Sequence, residues 1–365
     1  MKTRSKIRIP MPARYVINLA LVVGFYFLLT GLISSGVITN YWTGILITVG
    51  INIILAVSLN IATGYLGQLP LGHAGFMAVG AYAGGIFMKA TPAAALLKEG
   101  NNAALIPYIL AAIVISAIVA GIFGIIIGIP ALRLRGDYLA IITLGFGEMI
   151  RVMWRVIPAA GRAKGLNSIP KLTTFTLVYI MVILTMIVFR NYTKSRYGRG
   201  SIAVRENDLA GEVMGINTTA VKVRAFVFAA MVAGIGGGLY SHLMTFINPD
   251  TFNSAKSTDY VLYLYAGGVG SFSSALLGAI IFTIIPEALR FMGEWRLVVY
   301  PLILILIMIK RPKGVFGKHE FGFMRFGEKE NAFEKEENAG ILNLLFRKLK
   351  SRSGKASAAA EKGVS

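Results

Sequence analysis

YVINLALVVGFYFLLTGLISSGVITNYWTGILITVGINIILAVSLNIATGYLGQLPLGHAGFMAVGAYAGGIFM, residues 15–88, contains no Asp, Glu, Lys or Arg. A water-soluble domain does not carry so long an uncharged stretch, whereas about 20 consecutive apolar residues suffice to cross the hydrocarbon core of a bilayer. The stretch divides into three membrane segments, 15–38, 42–61 and 73–88. Residues 1–14 before it hold five basic residues and no acid. That pattern predicts an uncleaved first span with a cytoplasmic N-terminus, because 15–38 is too long for a signal-peptide core. ATGYLGQLPLGHAG, residues 62–75, separates the second and third segments and is too apolar for a solvated loop. It is expected at membrane depth, where irregular backbone persists only if protein buries it or it lines a wet cavity.

Working outward, the same reading places a fourth span at 104–129 and a basic inside turn at 133–138, RLRGDY. A fifth span follows at 138–157 and an outer segment, AAGRAKGLNSIP, at 159–170. A sixth span at 172–189 leads to the one long polar interruption, and a seventh at 225–246 precedes an outer FINPDTFNSAKSTD. If residues 260–286 crossed once, the span at 297–309 would deliver KRPKG to the outside, against the positive-inside rule. A re-entrant pair removes the conflict: 260–270 enters, GGVGSFSS breaks the helix, and 275–285 leaves. The alternative is an odd helix count with a positive tail outside. The fold class is therefore an all-α polytopic integral membrane protein with about 8–10 membrane helices, including a re-entrant or broken pair.

The interruption, RNYTKSRYGRGSIAVRENDLAGEVMGINTTAVKVR (190–224), carries seven basic and three acidic residues, which predicts a cytoplasmic location. Leu209, Val213 and Ile216, spaced i, i+4, i+7, predict a short amphipathic helix within it. Arg190, Lys194, Arg196 and Arg199 are read as fixing topology beside the sixth span. The formal charge of +20 does not point to nucleic acid, since the basic residues cluster at span ends and in tails. With no cysteine there are no disulfides or thiolate metal sites. His73, His242 and His319 are far apart, and no metal site is supported. Beyond 317 the chain turns polar and is expected to be a cytoplasmic, largely disordered tail, with ILNLLFRKLK (341–350) a candidate surface helix on anionic lipid.

Three G-x-x-x-G pairs, Gly80 with Gly84, Gly124 with Gly128 and Gly234 with Gly238, are expected to let helices approach closely. GQLPLGH (67–73) and GGVGSF (267–272) differ from these, because one glycine-broken segment occurs in each half of the chain. Paired interrupted helices are the best sequence pointer to a transport pathway. The expected pathway residues are Asn60, Gly64, Gln68, Gly72, His73, Tyr82, Thr143, Glu148, Gly267, Gly268 and Ser271. Glu148, about 15 Å into its span, reads equally as a gate or amine contact and as the partner of Arg151 one turn on. His73 reads as a pathway group or as a helix-end hydrogen bonder.

LNIATGYLGQLPLGHAGFMAVGAY (59–82), RLRGDYLAIITLGFGEMIR (133–151) and RENDLAGEVMGINTTAVKVRAFVFAAMVAGIGGGLY (205–240) resemble the LivM-type permease family of branched-chain amino-acid ABC importers. PDTF (249–252), GGVGS (267–271) and YPLILILIMIKRPKGVFG (300–317) follow in the same order. The resemblance covers residues 15–317 and implies a transmembrane permease domain there. It implies a second homologous permease subunit, two ATP-binding cassette subunits, an extracytoplasmic substrate-binding protein, and a multi-pass place in the inner membrane of a prokaryote. It also implies that Glu206–Asn217 is a coupling helix seated on the ATPase. Ala210, Gly211, Gly215 and Asn217 would allow the fit, and Glu206, Asp208 and Glu212 would meet basic residues. The chain departs from the commoner family pattern at Gly211, where alanine is usual, and at Arg162 and Lys164 in the outer turn.

No G-x-x-x-x-G-K-[ST] loop occurs, so ATP and Mg would be bound by partner ATPases, with no cofactor in this chain. A stand-alone ion-coupled carrier of small polar solutes is the other reading of paired broken helices. An intramembrane enzyme would need a clustered nucleophile and base or metal ligands, and the sequence offers none.

Overall fold

The computed structural model describes residues 11–93, 96, 102–134, 136–311, 314, 315 and 317. Residues 24–320 form one compact unit, and the terminal residues 1–23 and 321–365 fall in another. The tail helix expected at 341–350, His319, and the basic residues before Pro10 lie outside the described residues.

Twelve α-helices are seen among the described residues, with no strand. In chain order they are α1 (Met11–Ser34), α2 (Asn40–Asn60), α3 (His73–Ala90), α4 (Asn102–Ala131), α5 (Asp137–Val156) and α6 (Phe175–Lys194). There follow α7 (Arg196–Glu206), α8 (Asp208–Val213), α9 (Thr218–Met244), α10 (Ser254–Gly267), α11 (Phe272–Ala288) and α12 (Arg296–Lys310). Five stretches are long and apolar enough to cross a membrane: Asn40–Tyr65, Ala104–Ala131, Phe175–Lys194, Thr218–Met244 and Phe272–Trp295. The chain is thus an all-α, multi-pass membrane protein.

Span limits move where caps override hydropathy. The sixth helix starts at Phe175 rather than 172, because Thr174 Oγ1 accepts from Leu177 N–H at 3.3 Å. The seventh span, α9, begins at Thr218, inside the polar interruption, because Asn217 Oδ1 accepts from Ala220 N–H at 3.0 Å. The 190–224 stretch therefore shrinks to 195–217 outside the long helices.

α2 is the central mast, with 83% of its most apolar window buried in protein. Hydrogen bonds along it fix an antiparallel α11: Asn60 to Ser271, Asn52 to Thr283, and, at the far end, Tyr41 to Arg290. The 268–271 break and the Leu289–Trp295 turn consequently lie at opposite ends of the bundle. α10 leads toward the break and α11 away from it.

Small residues set the interior spacing. A Cβ on Gly80 would overlap the backbone of Gly234, and one on Gly237 would overlap Met77 O. A Cβ on Gly84 would meet Ser116 Oγ at 2.5 Å; on Gly124, Ala230 Cβ at 2.8 Å; on Gly128, Phe226 Cδ1 at 2.9 Å. The three glycine pairs thus hold α3, α4 and α9 at backbone contact, where attraction comes from packing rather than water exclusion. Ser116 Oγ spans the junction by donating to Gly80 O at 2.8 Å.

Gly237→Ala is expected to destabilise the detergent-solubilised protein by about 1–3 kcal/mol through overpacking, read as a lower melting temperature. Gly44→Ala, with nothing within 4 Å of its Cβ, is the control; equal melting temperatures for the two variants would refute the close-packing account.

Candidate functional site

The two interrupted segments meet. After α2 the chain makes a π-turn, Ile61–Tyr65, in which Leu66 N–H reaches Ile61 O at 3.2 Å. Gln68 N–H, which an α-helix would bond to Gly64 O, goes instead to Ala62 O at 2.9 Å. Such wide turns are frequent at functional sites. Gly64 lies against the second break, where an added Cβ would stand 2.7 Å from Gly270 N. Asn60, with no exposed surface, holds the pair: its Oδ1 accepts from Gly270 N–H at 3.1 Å, and its Nδ2 donates to Ser271 O at 3.0 Å.

Gly267 and Gly268 serve this junction by packing rather than by lining space. A Cβ on Gly267 would overlap Ser274 O and sit 2.9 Å from Gly278 Cα, so it is the contact of α10 with α11. Gly268, at φ +131°, adopts a backbone that side chains resist, and it faces the chain after α12. There Val315 N–H donates to Ala266 O at 2.8 Å and Ser274 Oγ donates to Gly317 O at 2.7 Å. That fold-back was not evident in the sequence.

The other expected pathway residues occupy two further levels. In the middle, Gly72 sits against Thr143, whose Oγ1 accepts from Leu71 N–H at 3.0 Å. His73, 1% exposed at the start of α3, has its Nε2 3.1 Å from Ser58 Oγ. Toward the Asp250 end, Tyr82 stacks on Trp154 at 4.6 Å between ring centres and tilts against Phe252. Glu148 pairs with Arg151 at 2.8 Å and also accepts from Ser254 N–H at 3.1 Å, which ties α5 to the first turn of α10. Arg155 reaches Asp250 of PDTF. Gln68 stands apart from these, in a cleft of about 430 Å³ that it shares with Gly67, Arg205, Asp208 and Lys222.

The polar segment folds differently from the single amphipathic helix expected over 209–216. Asn207 ends α7 and caps α8, its Oδ1 accepting from Ala210 N–H at 3.0 Å, so the segment is two short helices. α8 stops at Val213, since Gly215 takes φ +80° and Ile216 lies beyond it, packed toward Leu66, Val204 and Ala225. Leu209, Val213 and Met214 are instead 64%, 88% and 81% exposed. The acids have partners within the chain: Glu206 with Arg205, Asp208 with the nearly buried Lys222, and Glu212 with Thr218 Oγ1 at 2.8 Å. An alanine at 211 would meet only Thr218 Cγ2, at an ordinary 3.7 Å, so the glycine there is tolerated rather than required.

Among the described residues no group of three His, Cys, Asp or Glu side chains is placed to hold a metal ion. Arg205 is the functional candidate that spacing did not single out. Its Nη1 donates to Gly64 O at 2.6 Å across 141 positions, and no local pattern signals that reach.

The model of the family described as "Branched-chain amino acid transport system / permease component" matches residues 41–309. The chain is 30% identical over 300 residues to the high-affinity branched-chain amino acid transport system permease protein LivM of Escherichia coli (strain K12), covering 73% of this chain and 67% of that one. LivM of Salmonella typhimurium is 29% identical over the same length and shares. LivH, a permease protein of the Escherichia coli (strain K12) system, is 31% identical over 147 residues, 40% of this chain and 46% of LivH. No solved structure matches the chain.

Lys222→Met strands Asp208 in the cleft wall and is expected to cost about 1–3 kcal/mol, less than a fully buried pair because Asp208 keeps some solvent. Adding Asp208→Asn should restore part of that loss, read by proteolytic cleavage rate within 207–217. Equal rates for the single and double variants would remove the ion pair as the support of α8.

Proposed function

The chain belongs to the branched-chain amino acid transport system permease family, and from that premise we propose how it works as the permease subunit of an ABC importer. It carries branched-chain amino acids or a related small amphipathic solute inward across the inner membrane. A second homologous permease completes the membrane part, and the match to LivH as well as LivM supports that pairing. Two ATP-binding cassette subunits bind ATP and Mg and supply the energy, and an extracytoplasmic protein delivers the solute. By the positive-inside rule this reading takes the net positive 190–224 segment and the Arg205 end as cytoplasmic, with both termini on the same side.

One observation carries this reading beyond the family match: two interrupted helices, one from each half, meet directly beside the polar segment. Interrupted helices place unpaired backbone groups at the point where a solute passes, and small rotations of the two halves open or seal them. The ATPase contact in this reading is the exposed Leu209, Val213 and Met214 of the α8 turn. Truncating the few apolar anchors at the centre of an interface costs more than altering its rim charges, and Asp208 and Glu212 of α8 are already engaged within the chain.

Two measurements test this reading. The chain reconstituted with its ATPase, permease and binding-protein partners should take up leucine, isoleucine or valine only with ATP. Uptake by the chain alone under an ion gradient would overturn it. Replacing Leu209 and Met214 with Asp should lower ATP-dependent uptake by more than about tenfold while the solubilised protein keeps its melting temperature. Gly215→Arg should act the same way, because its φ of +80° resists a side chain although nothing lies within 4 Å of its Cβ. Unchanged uptake in both variants would remove the coupling assignment.

A further inference from the structure

We propose that Arg205 and Asn60 form a latch that seals the cytoplasmic end of the translocation path and through which movement of α7 and α8 separates the two interrupted segments. The inference rests on the transport reading above and names the residues that position the gate.

Three chain segments distant in sequence converge on one backbone junction. Asn60 bonds the second break by two hydrogen bonds, to Gly270 N–H and Ser271 O. Arg205, from the end of α7, bonds the first break through Gly64 O at 2.6 Å and covers the second, where a Cβ on Gly270 would stand 3.5 Å from Nη1. The stem of Arg205 lies on Gly67, where a Cβ would meet its Cγ at 2.6 Å. Gly64 and Gly270 touch at backbone distance, so no pathway passes between them as they stand.

Charge and covalent placement single out Arg205 as the moving part. Asn60 is on the buried mast, but Arg205 is two residues from Asn207, which separates α7 from α8. A displacement of α8 is therefore delivered to Gly64 O through a single charged donor. A lost bond from a charged donor leaves a carbonyl unpaired unless water enters, and water entry is the opening of the gate. Thr63 Oγ1, buried in the same π-turn without a hydrogen-bond partner, provides a group that a shifted arrangement can satisfy. The junction thus has a reason to possess two states rather than one.

The test uses the natural absence of cysteine. In the full complex in liposomes, Ser271→Cys, at a position now 1% exposed, should react slowly with a membrane-impermeant thiol reagent supplied at the cytoplasmic face. Adding Arg205→Gln should speed that labelling by about tenfold, the worth of a charge-assisted hydrogen bond. Arg205→Lys, which keeps the charge, should fall between. In the cysteine-free complex, Arg205→Gln should lower solute carried per ATP hydrolysed by a similar factor, with ATP hydrolysis itself retained. Arg199→Gln, whose guanidinium donates to Lys194 O at the end of α6 and away from the junction, should leave that ratio unchanged. Equal labelling with and without Arg205→Gln, or a parallel fall of uptake and hydrolysis, would overturn the latch. If the unmodified complex shows no ATP-driven uptake while Arg205→Gln still speeds labelling, the importer reading fails and the latch stands.

Discussion

Backbone amides and carbonyls inside a bilayer-embedded bundle need partners, and the whole arrangement depends on how two broken helices meet that requirement. A continuous helix satisfies its own backbone; a π-turn and a glycine break do not. Here the unpaired groups of the two breaks are answered by one buried asparagine, one arginine from outside the long helices, and the returning chain after α12. Each partner comes from a different part of the sequence. The junction therefore exists only when the bundle is assembled, and it couples regions that no covalent proximity links.

Glycines permit that assembly in two physically different ways. At Gly80, Gly234 and Gly237 they remove side chains so that helix backbones touch, which fixes α3, α4 and α9 as a rigid block. At Gly268 and Gly270, with φ of +131° and +83°, they allow a backbone path that other residues resist. The first use builds a scaffold; the second shapes the break that meets Gly64.

The polar segment shows a similar division of labour. Asp208 and Glu212, expected to meet basic residues of an ATPase, are engaged by Lys222 and Thr218 of α9, which orient α8, while Glu206 pairs with its neighbour Arg205 in α7. Leu209 and Val213, expected on one face of a single amphipathic helix with Ile216, are exposed, while Ile216 packs toward Leu66, Val204 and Ala225. Asn207, which ends α7 and starts α8, and Gly215, at φ +80°, separate the three residues. Periodicity identified the apolar spacing but not the breaks on either side of it.

Sequence by itself determined the membrane class, the all-α architecture, the approximate spans and the two broken segments, because hydrocarbon allows few solutions and glycine-rich interruptions stand out within apolar runs. It also placed Asn60, Gly64, Gly268 and Ser271 among the candidates that turn out to share one junction. It did not reveal that Gly72 with Thr143 and His73 with Ser58 lie at one level and Glu148 with Arg151 and Ser254 at another, since depth along a bundle depends on how helices stagger. Only the tertiary structure decided that Gly64 and Gly270 touch, that residues 314–317 close over the second break, and that Arg205 reaches Gly64. Hydropathy and helical spacing are local properties of the chain. A hydrogen bond across 141 positions is set by the packing of every helix between its ends.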